Sequence, residues 1–267
     1  MSFQPVVPLS GMAGWAFLSK TLDAQTEAYS RAPINARDME YFRENIGQVF
    51  TAEELVSDYR LLRVALGAYG LQEDLPNRAF VRTILADGTT DPEALSNRLA
   101  DKRYSAFSEA FGFGEVALPK TLETGFADTI LARFERQEFE RAVGEQNNDM
   151  RLALNLQREL PEILSEGLEN DNAWLTVMGN PPLRSAFETA LGLPESFGLI
   201  DIDQQLETLK DRARSILGTD NLSEIATDDG IENVIQNYLG RAQIASVTNI
   251  ASPAAIAVTL LAPIAGQ

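Results

Sequence analysis

The side chains that could do chemistry in this sequence are nearly all carboxylates, because its 267 residues include no histidine and no cysteine. This composition excludes zinc fingers, disulfide scaffolds, His-based triads and cysteine nucleophiles. Acid–base catalysis by carboxylates, with or without Mg²⁺, is the chemistry that stays open. With 39 Asp and Glu residues no particular pair stands out. We therefore identify no catalytic, cofactor-binding or metal-binding residue and expect a protein that is not an enzyme.

One acidic loop, Asp87-Gly-Thr-Thr-Asp91, superficially matches the nucleophile loop of haloacid-dehalogenase-like phosphatases. Those enzymes place the first Asp at the end of a parallel strand, with a second Asp two residues later. Residues 80–86 have a helical pattern instead. The sequence predicts a helix end, a glycine turn and then a new helix that starts at Asp91-Pro92-Glu93.

A second acidic cluster near Gly230 comprises Asp220, Asp228, Asp229 and Glu232. It does not indicate a calcium site, because it lacks the alternating oxygen ligands and the closing Glu of a calcium hand. Capping of a helix by Asp228 or Asp229 is the favoured interpretation, because acids stabilise helix N-termini. Gly112-Phe-Gly114 follows a helical pattern rather than a strand, so it does not indicate dinucleotide binding.

The elements that would position these groups are helices almost throughout, which predicts an all-α, multi-helical domain. Thr51-Ala-Glu-Glu54 forms a capping box at one helix start. Short strand-like stretches occur only at residues 5–9 and 247–250. The clearest helical patterns cover residues 12–31, 122–143, 149–168 (with Pro161 inside), 203–217 and 229–244.

An internal similarity predicts repeated helix-hairpin units. Residues 91–113 and 171–193 align without a gap and share seven identities, among them Phe107 with Phe187. A looser third copy ends at residues 61–71. Each copy has a capping residue, about three helical turns, and then a glycine followed by an apolar residue that can fold back onto the last turn. Either a repeated docking unit or a hairpin that simply packs well would give this pattern.

Charge limits the partners. The formal net charge is −17, and residues 114–267 carry 24 acidic against 11 basic side chains. Nucleic acid is therefore excluded as a partner, because phosphate binding needs a basic face. The acidic half is either a solvated surface or a docking face for a basic partner. No cleavable signal peptide and no apolar run of membrane-spanning length is evident, so we expect no membrane insertion.

The two ends differ from the acidic body. Residues 1–11 and 246–267 contain no charged side chain. They either pack on the domain, which would bury their apolar surface, or dock on another protein. The organisation we predict is an N-terminal segment with the first helix (1–35), a helical region with the first repeat (36–113), a second helical region with the repeat copy at 171–193 (114–245), and an apolar tail (246–267), all packed as one body.

Residues 37–113 resemble a bacterial family known only as a domain of unknown function. The features that carry the resemblance are, in order, Thr51-Ala-Glu-Glu-Leu55, Leu61-Leu62, Ala65, Gly70-Leu71, Phe80, Leu85, Asp91-Pro92, Asn97-Arg98-Leu99 and Phe107. Members of that family are often encoded among flagellar genes and are sometimes labelled flagellar rod proteins. The resemblance implies association with the flagellum but supplies no catalytic or binding residue.

The combined expectation is a non-enzymatic interaction protein that acts in flagellar assembly or its control, with a protein partner and no cofactor. It would be cytoplasmic, or exported without a cleavable signal through the flagellar secretion apparatus. A secreted structural subunit of the flagellum and a carboxylate- or Mg²⁺-dependent enzyme are the alternatives. The oligomeric state is not predicted.

Overall fold

The computed structural model describes residues 3–114 and 118–250, and it confirms the all-α class: within these ranges there are fourteen α-helices and no strand. Short 3₁₀ turns at residues 46–48, 72–74, 120–122 and 195–199 join some of them. The helices are α1 Gly11–Ser30, α2 Pro33–Asn45, α3 Ala52–Ser57, α4 Tyr59–Gly67, α5 Arg78–Asp87, α6 Leu95–Arg98, α7 Arg103–Phe111, α8 Phe126–Gly144, α9 Asn148–Ser165, α10 Asn170–Met178, α11 Pro181–Ala190, α12 Ile202–Leu217, α13 Leu222–Ile225 and α14 Asp228–Ile250.

Local sequence chemistry fixes several helix ends. Thr51 Oγ1 accepts from the Glu54 amide at 3.2 Å, and Glu54 Oε2 accepts from the Thr51 amide at 3.1 Å, so the predicted capping box is present. Helix α4 ends in a Schellman motif, in which Gly70 has φ +67° and the Leu71 amide donates to the Leu66 carbonyl at 2.9 Å. Helix α11 ends in the same way at Gly192, which has φ +64°.

Two hydrophobic cores divide the helices. The smaller core takes side chains from α2 to α5, α7 and the first half of α8. The larger core takes side chains from α1, the second half of α8 and α9 to α14. Helix α8 therefore joins the two, with Phe134 in the smaller core and Phe139 in the larger. Both cores are rich in aromatic edge-to-face pairs such as Trp174 with Phe187, whose ring centroids are 5.2 Å apart.

The repeated hairpin is not confirmed. The second helices of the two units, α7 and α11, correspond. Both end at a left-handed glycine, and Phe107 and Phe187 are both fully buried. The first helices of the two units differ, because α6 has four residues and α10 has nine. A capped helix with a glycine end therefore recurs, and the preceding halves take different conformations.

Three local predictions were wrong. Asp91 caps a turn by accepting from the Glu93 amide, and the helix predicted to start at Asp91 begins at Leu95 instead. The side chain that caps the start of α14 is Thr227, whose Oγ1 accepts from the Gly230 amide at 3.2 Å, while Asp228 and Asp229 lie in the first turn. Residues 5–9 form no strand, and residues 247–250 continue α14.

The N-terminal end packs on the larger core as an extended segment. The Gln25 side chain lies against its backbone, with Oε1 accepting from the Val6 amide at 2.6 Å and Nε2 donating to the Val6 carbonyl at 3.3 Å. Gln146 Nε2 donates to the Pro5 carbonyl at 2.6 Å. Of the two alternatives for the ends, packing on the domain is the one that the described N-terminal residues adopt. Most of the predicted C-terminal tail, residues 251–267, lies outside the described residues.

Candidate functional site: a groove over a charged layer

Charged side chains meet where α8 passes from one core to the other. We call Arg63, Arg133, Glu138, Glu140, Arg158 and Glu159 the charged layer; they project from α4, α8 and α9. Glu138, Glu140 and Arg158 are buried. Ionised groups are seldom buried unless they are paired, so each of these side chains needs a partner of opposite charge.

The centre of the layer is the guanidinium of Arg158. Its Nε donates to Glu140 Oε1 at 2.7 Å and its Nη2 donates to Glu140 Oε2 at 2.9 Å, while Nη1 pairs with Glu159. With its carboxamide oxygen turned toward the guanidinium, Gln137 accepts from Nη2 at 2.7 Å. Burial opposes the charge on Arg158, but Glu140 and Glu159 outweigh it and raise the pKa of the guanidinium.

A second group of pairs surrounds Glu138, which lies two residues before Glu140 on α8. Arg141 donates to both of its oxygens, at 3.1 and 3.0 Å, and Gln72 Nε2 donates to Oε1 at 3.0 Å. Arg63 of α4 approaches Oε2 at 3.7 Å and also pairs with Asp38. The hydrogen bonds that Arg141 donates to Glu138 raise the pKa of the Arg141 guanidinium. Glu138 thus ties the smaller core's α4 and the turn after it to α8.

Above this layer lies a groove of about 640 Å³, which we call the central groove. Its walls are the turn after α4, the start of α7 and the start of α11, and its floor is formed by α8 and α9. Clefts between two packed bodies are frequent ligand sites. One wall is fixed by the Tyr104 hydroxyl, which donates to Asp74 Oδ2 at 2.5 Å, and by Arg103 Nη1, which donates to the Gly70 carbonyl at 2.7 Å.

Asn155 lies in the lining of this groove, and its side-chain oxygen is a buried hydrogen-bond acceptor. The residue is 5% exposed, and among the described residues its Oδ1 has no hydrogen-bond partner. A buried carbonyl oxygen without a donor costs about 1–3 kcal/mol. A buried group of this kind calls for a partner that the described residues do not supply, such as an ordered water or a ligand.

Two smaller grooves reach the same charged layer. One, of about 380 Å³, lies between α1, α8 and α9 and shares Glu140 with the central groove. The other, of about 250 Å³, contains Glu159 and Glu166. Burial, followed by the nearby carboxylates Glu109, Glu159 and Glu162, raises the pKa of Glu166.

The acidic motifs of the sequence do not assemble into a site. Gly88, with φ +69°, makes the predicted turn in the Asp87–Asp91 loop. In the other cluster, the Asp220 carbonyl accepts from the Trp174 indole at 2.8 Å and Glu232 Oε2 accepts from the Trp15 indole at 2.9 Å. In residues 3–114 and 118–250, no three Asp or Glu side chains converge as a metal site would require.

Sequence reasoning missed Asn155 and Arg158, although a weak signal existed. Both interrupt the apolar face of α9, which otherwise buries Leu152, Leu156 and Leu160. A carboxamide and a guanidinium three residues apart on a buried face have to be satisfied from another helix or a ligand. The chain alone does not say which helix supplies the partner.

Comparison with known proteins establishes the family. A family model described as a protein of unknown function, DUF1217, matches residues 68–231, which is more than half of the chain. The chain belongs to this family. The resemblance to a domain of unknown function is thereby confirmed, but its extent differs from the predicted residues 37–113: the match begins at residue 68, just after α4, and continues to residue 231 in α14. The DUF1217 region thus includes α8, α9 and the whole central groove.

One solved structure supports the fold of this DUF1217 protein. The crystal structure of protein AGR_C_984 from Agrobacterium tumefaciens matches it with a TM-score of 0.73 and 24% sequence identity, covering 91% of this chain and 99% of that one. At this identity the similarity shows a shared fold. No curated protein matches the chain. None of the helices in the described ranges has the length and apolar character needed to cross a bilayer.

Proposed function

We propose that this DUF1217 protein is a non-enzymatic interaction protein that acts in flagellar assembly or its control, and that its central groove receives a segment of a flagellar partner protein. The association with the flagellum rests on the resemblance of residues 37–113 to a family encoded among flagellar genes. The location of the binding site rests on the groove and on Asn155.

The observation that carries the groove assignment is that Asn155 Oδ1 has no partner within residues 3–114 and 118–250. Backbone amides of an extended polypeptide are donors of the kind that this oxygen lacks. Two of the carboxylates that line the groove are already engaged, Glu140 by Arg158 and Glu145 by Arg141. Ion pairs of this kind fix the shape of a binding surface, which suits recognition better than proton transfer.

A motility assay with matched variants tests the proposal. In the bacterium that encodes the protein, deletion of its gene should reduce swimming, and the wild-type chain should restore it. Asn155→Leu should fail to restore it although the variant is folded, because leucine removes the acceptor and keeps the volume. Asn237→Leu, at a position on α14 whose amide bonds only within its own helix, should restore swimming.

The folded state of the variants separates function from stability. Replacing an unsatisfied buried polar group by an apolar one is neutral or stabilising, so Asn155→Leu should unfold at the same or a higher urea concentration than the wild type. Normal swimming of the deletion strain would contradict the flagellar role. Full restoration by Asn155→Leu would contradict the groove assignment alone.

A carboxylate-dependent enzyme is the second candidate, favoured by Glu166. A carboxyl group with a raised pKa in a groove is a common mark of acid–base catalysis, and Glu166 has both features. Titration calorimetry with Mg²⁺ distinguishes the candidates. Saturable Mg²⁺ binding that Glu166→Gln abolishes would favour the enzyme, whereas absence of binding heat would favour the interaction protein.

The place of action follows from fractionation of the same cells. A cytoplasmic accessory protein should stay with the soluble cell contents, and a secreted structural subunit should co-purify with isolated flagella. Export of either kind should stop in a strain that lacks the flagellar secretion apparatus. These outcomes separate an assembly factor from a structural subunit.

A further inference from the structure

Three neighbouring aliphatic side chains project into solvent from the turn between α11 and α12. Leu199 is 86% exposed, the largest value for any large apolar side chain in the described ranges, and Ile200 and Ile202 are 40% and 48% exposed. We call these three residues the apolar knob. Single exposed aliphatic residues are ordinary, whereas a contiguous group marks an interaction surface.

The turn that carries the apolar knob is held firmly from below. Phe197 anchors it in the larger core with 3% exposure. Gln205 Nε2 donates to the Ile200 carbonyl at 2.7 Å, and Gln205 Oε1 in turn accepts from Arg184 Nη2 at 2.7 Å. The guanidinium of Arg184 also lies 5.8 Å from the centre of the Phe197 ring. A projection fixed in this way loses little conformational entropy on binding.

The surroundings of the apolar knob are acidic. Asp201 and Asp203 are exposed beside it at the start of α12, where Asp201 caps the helix through the Asp203 amide at 2.9 Å. Arg184, the cation beneath the turn, is neutralised by Glu188 at 2.7 Å. The apolar knob therefore presents aliphatic surface flanked by negative charge.

This charge pattern disfavours a second copy of the chain as the occupant. A two-fold contact places the same patch on both subunits, so Asp201 and Asp203 would face their own copies. Each chain also carries a net charge of −17. A different protein with Lys or Arg at the edge of an apolar pocket would match both the shape and the charge.

We infer that the apolar knob inserts into an apolar pocket, bordered by Lys or Arg residues, on a partner protein. Leu199 supplies the central anchor, and Ile200 and Ile202 widen the contact. Buried anchors at the centre of an interface carry most of its affinity, and the charged border mainly steers association. None of these residues lines the central groove, so this second surface is independent of the groove assignment.

Site-specific photocrosslinking tests this inference in living cells with the full-length chain. Leu199 is replaced by p-benzoylphenylalanine. The matched control position is Leu118, which precedes α8 and is 69% exposed. Irradiation should give one discrete adduct from position 199 and none from position 118. No adduct at 199, or an adduct whose mass is that of two copies of this chain, would overturn the inference.

Binding of the purified partner to the full-length chain completes the test. Leu199→Ser should weaken binding at least about tenfold, as expected for a central anchor, and Leu118→Ser should leave it unchanged. Binding to the wild type should also weaken as salt is raised, because the charged border is screened. Unchanged affinity of Leu199→Ser with an unchanged urea midpoint, or binding that ignores salt, would overturn the inference.

Discussion

Arg158 of α9 and Glu140 of α8 form a doubly hydrogen-bonded ion pair, with N–O distances of 2.7 and 2.9 Å, and their side chains are only 3% and 8% exposed. The pair lies where α8 leaves the smaller core for the larger one. It therefore fixes the relation between the two helices that form the floor of the central groove. Loss of either partner would leave a buried charge without its counterpart.

Glu140→Gln should lower the free energy of unfolding by about 3 kcal/mol, because removing one member of a buried pair leaves the other charge buried and under-compensated. Glu145→Gln is the control: its pair with Arg141 is 66% and 43% exposed, and exposed pairs contribute less than about 1 kcal/mol. Urea unfolding followed by circular dichroism measures both. Equal losses in the two variants would contradict the assigned role of the buried pair.

Two glycines of α14 should respond in opposite directions to replacement by alanine. At Gly230 a Cβ would lie 2.4 Å from the Ile225 carbonyl oxygen, whereas at Gly240 it would meet nothing within 4 Å. Gly230→Ala should destabilise the protein, because the backbone at the α13–α14 turn has to shift. Gly240→Ala should stabilise it by about 0.5–1 kcal/mol through helix propensity. Thermal unfolding of the two variants side by side decides the signs.

Gln25→Ala should release the N-terminal segment while the cores stay folded. The carboxamide of Gln25 bonds both polar groups of the Val6 backbone, and no other side chain in the described residues does so. Hydrogen exchange of residues 4–9 should become faster in the variant, and limited proteolysis should cut there first. Gln236→Ala, which removes a bond to Glu232 within one exposed turn, should leave both measurements unchanged. Slow exchange in Gln25→Ala would mean that apolar packing alone holds the segment.

Stability should fall as pH rises from about 10 to 12, and Tyr69 should account for part of the loss. Burial raises the pKa of Tyr69 to about 12, although Arg133 over its ring opposes the shift. Above pH 10 the unfolded chain loses the phenolic proton and the folded chain keeps it, so ionisation favours unfolding. The full effect of two pKa units is about 2–3 kcal/mol.

Tyr69→Phe should reduce that pH-dependent loss of stability, because its ring has no proton to lose. Tyr59→Phe is the control, since Tyr59 is 54% exposed. Urea unfolding at pH 9 and pH 11 gives the difference for each variant and for the wild type. If Tyr69→Phe loses as much stability as the wild type between these pH values, the buried Tyr69 is not a source of the effect.

The features that depend on residues close together in the chain could be predicted from the order of the amino acids. Helical periodicity predicted the all-α class, the Thr51–Glu54 capping box was correct, and the glycine ends at Gly70, Gly112 and Gly192 were correct. A cap or a glycine end involves only a single helical turn, so its energy is set within a few residues. The same locality misled at Asp91-Pro92-Glu93. The helix starts at Leu95 instead, and the side chains of Ser96 and Asn97 donate back to carbonyls of the preceding turn.

The packing of the helices sets which polar side chains meet and which, among the described residues, lack a partner. Arg158 and Glu140 are 18 residues apart, and their pairing depends on how α8 lies against α9. The burial of Asn155, whose Oδ1 has no partner among the described residues, likewise depends on helices that are distant in sequence. The same holds for the burial of Phe197, which anchors the turn that carries Leu199. Burial makes each such contact or missing contact costly, and burial is a property of the packed helices together. The central groove and the apolar knob therefore could not be predicted from the sequence.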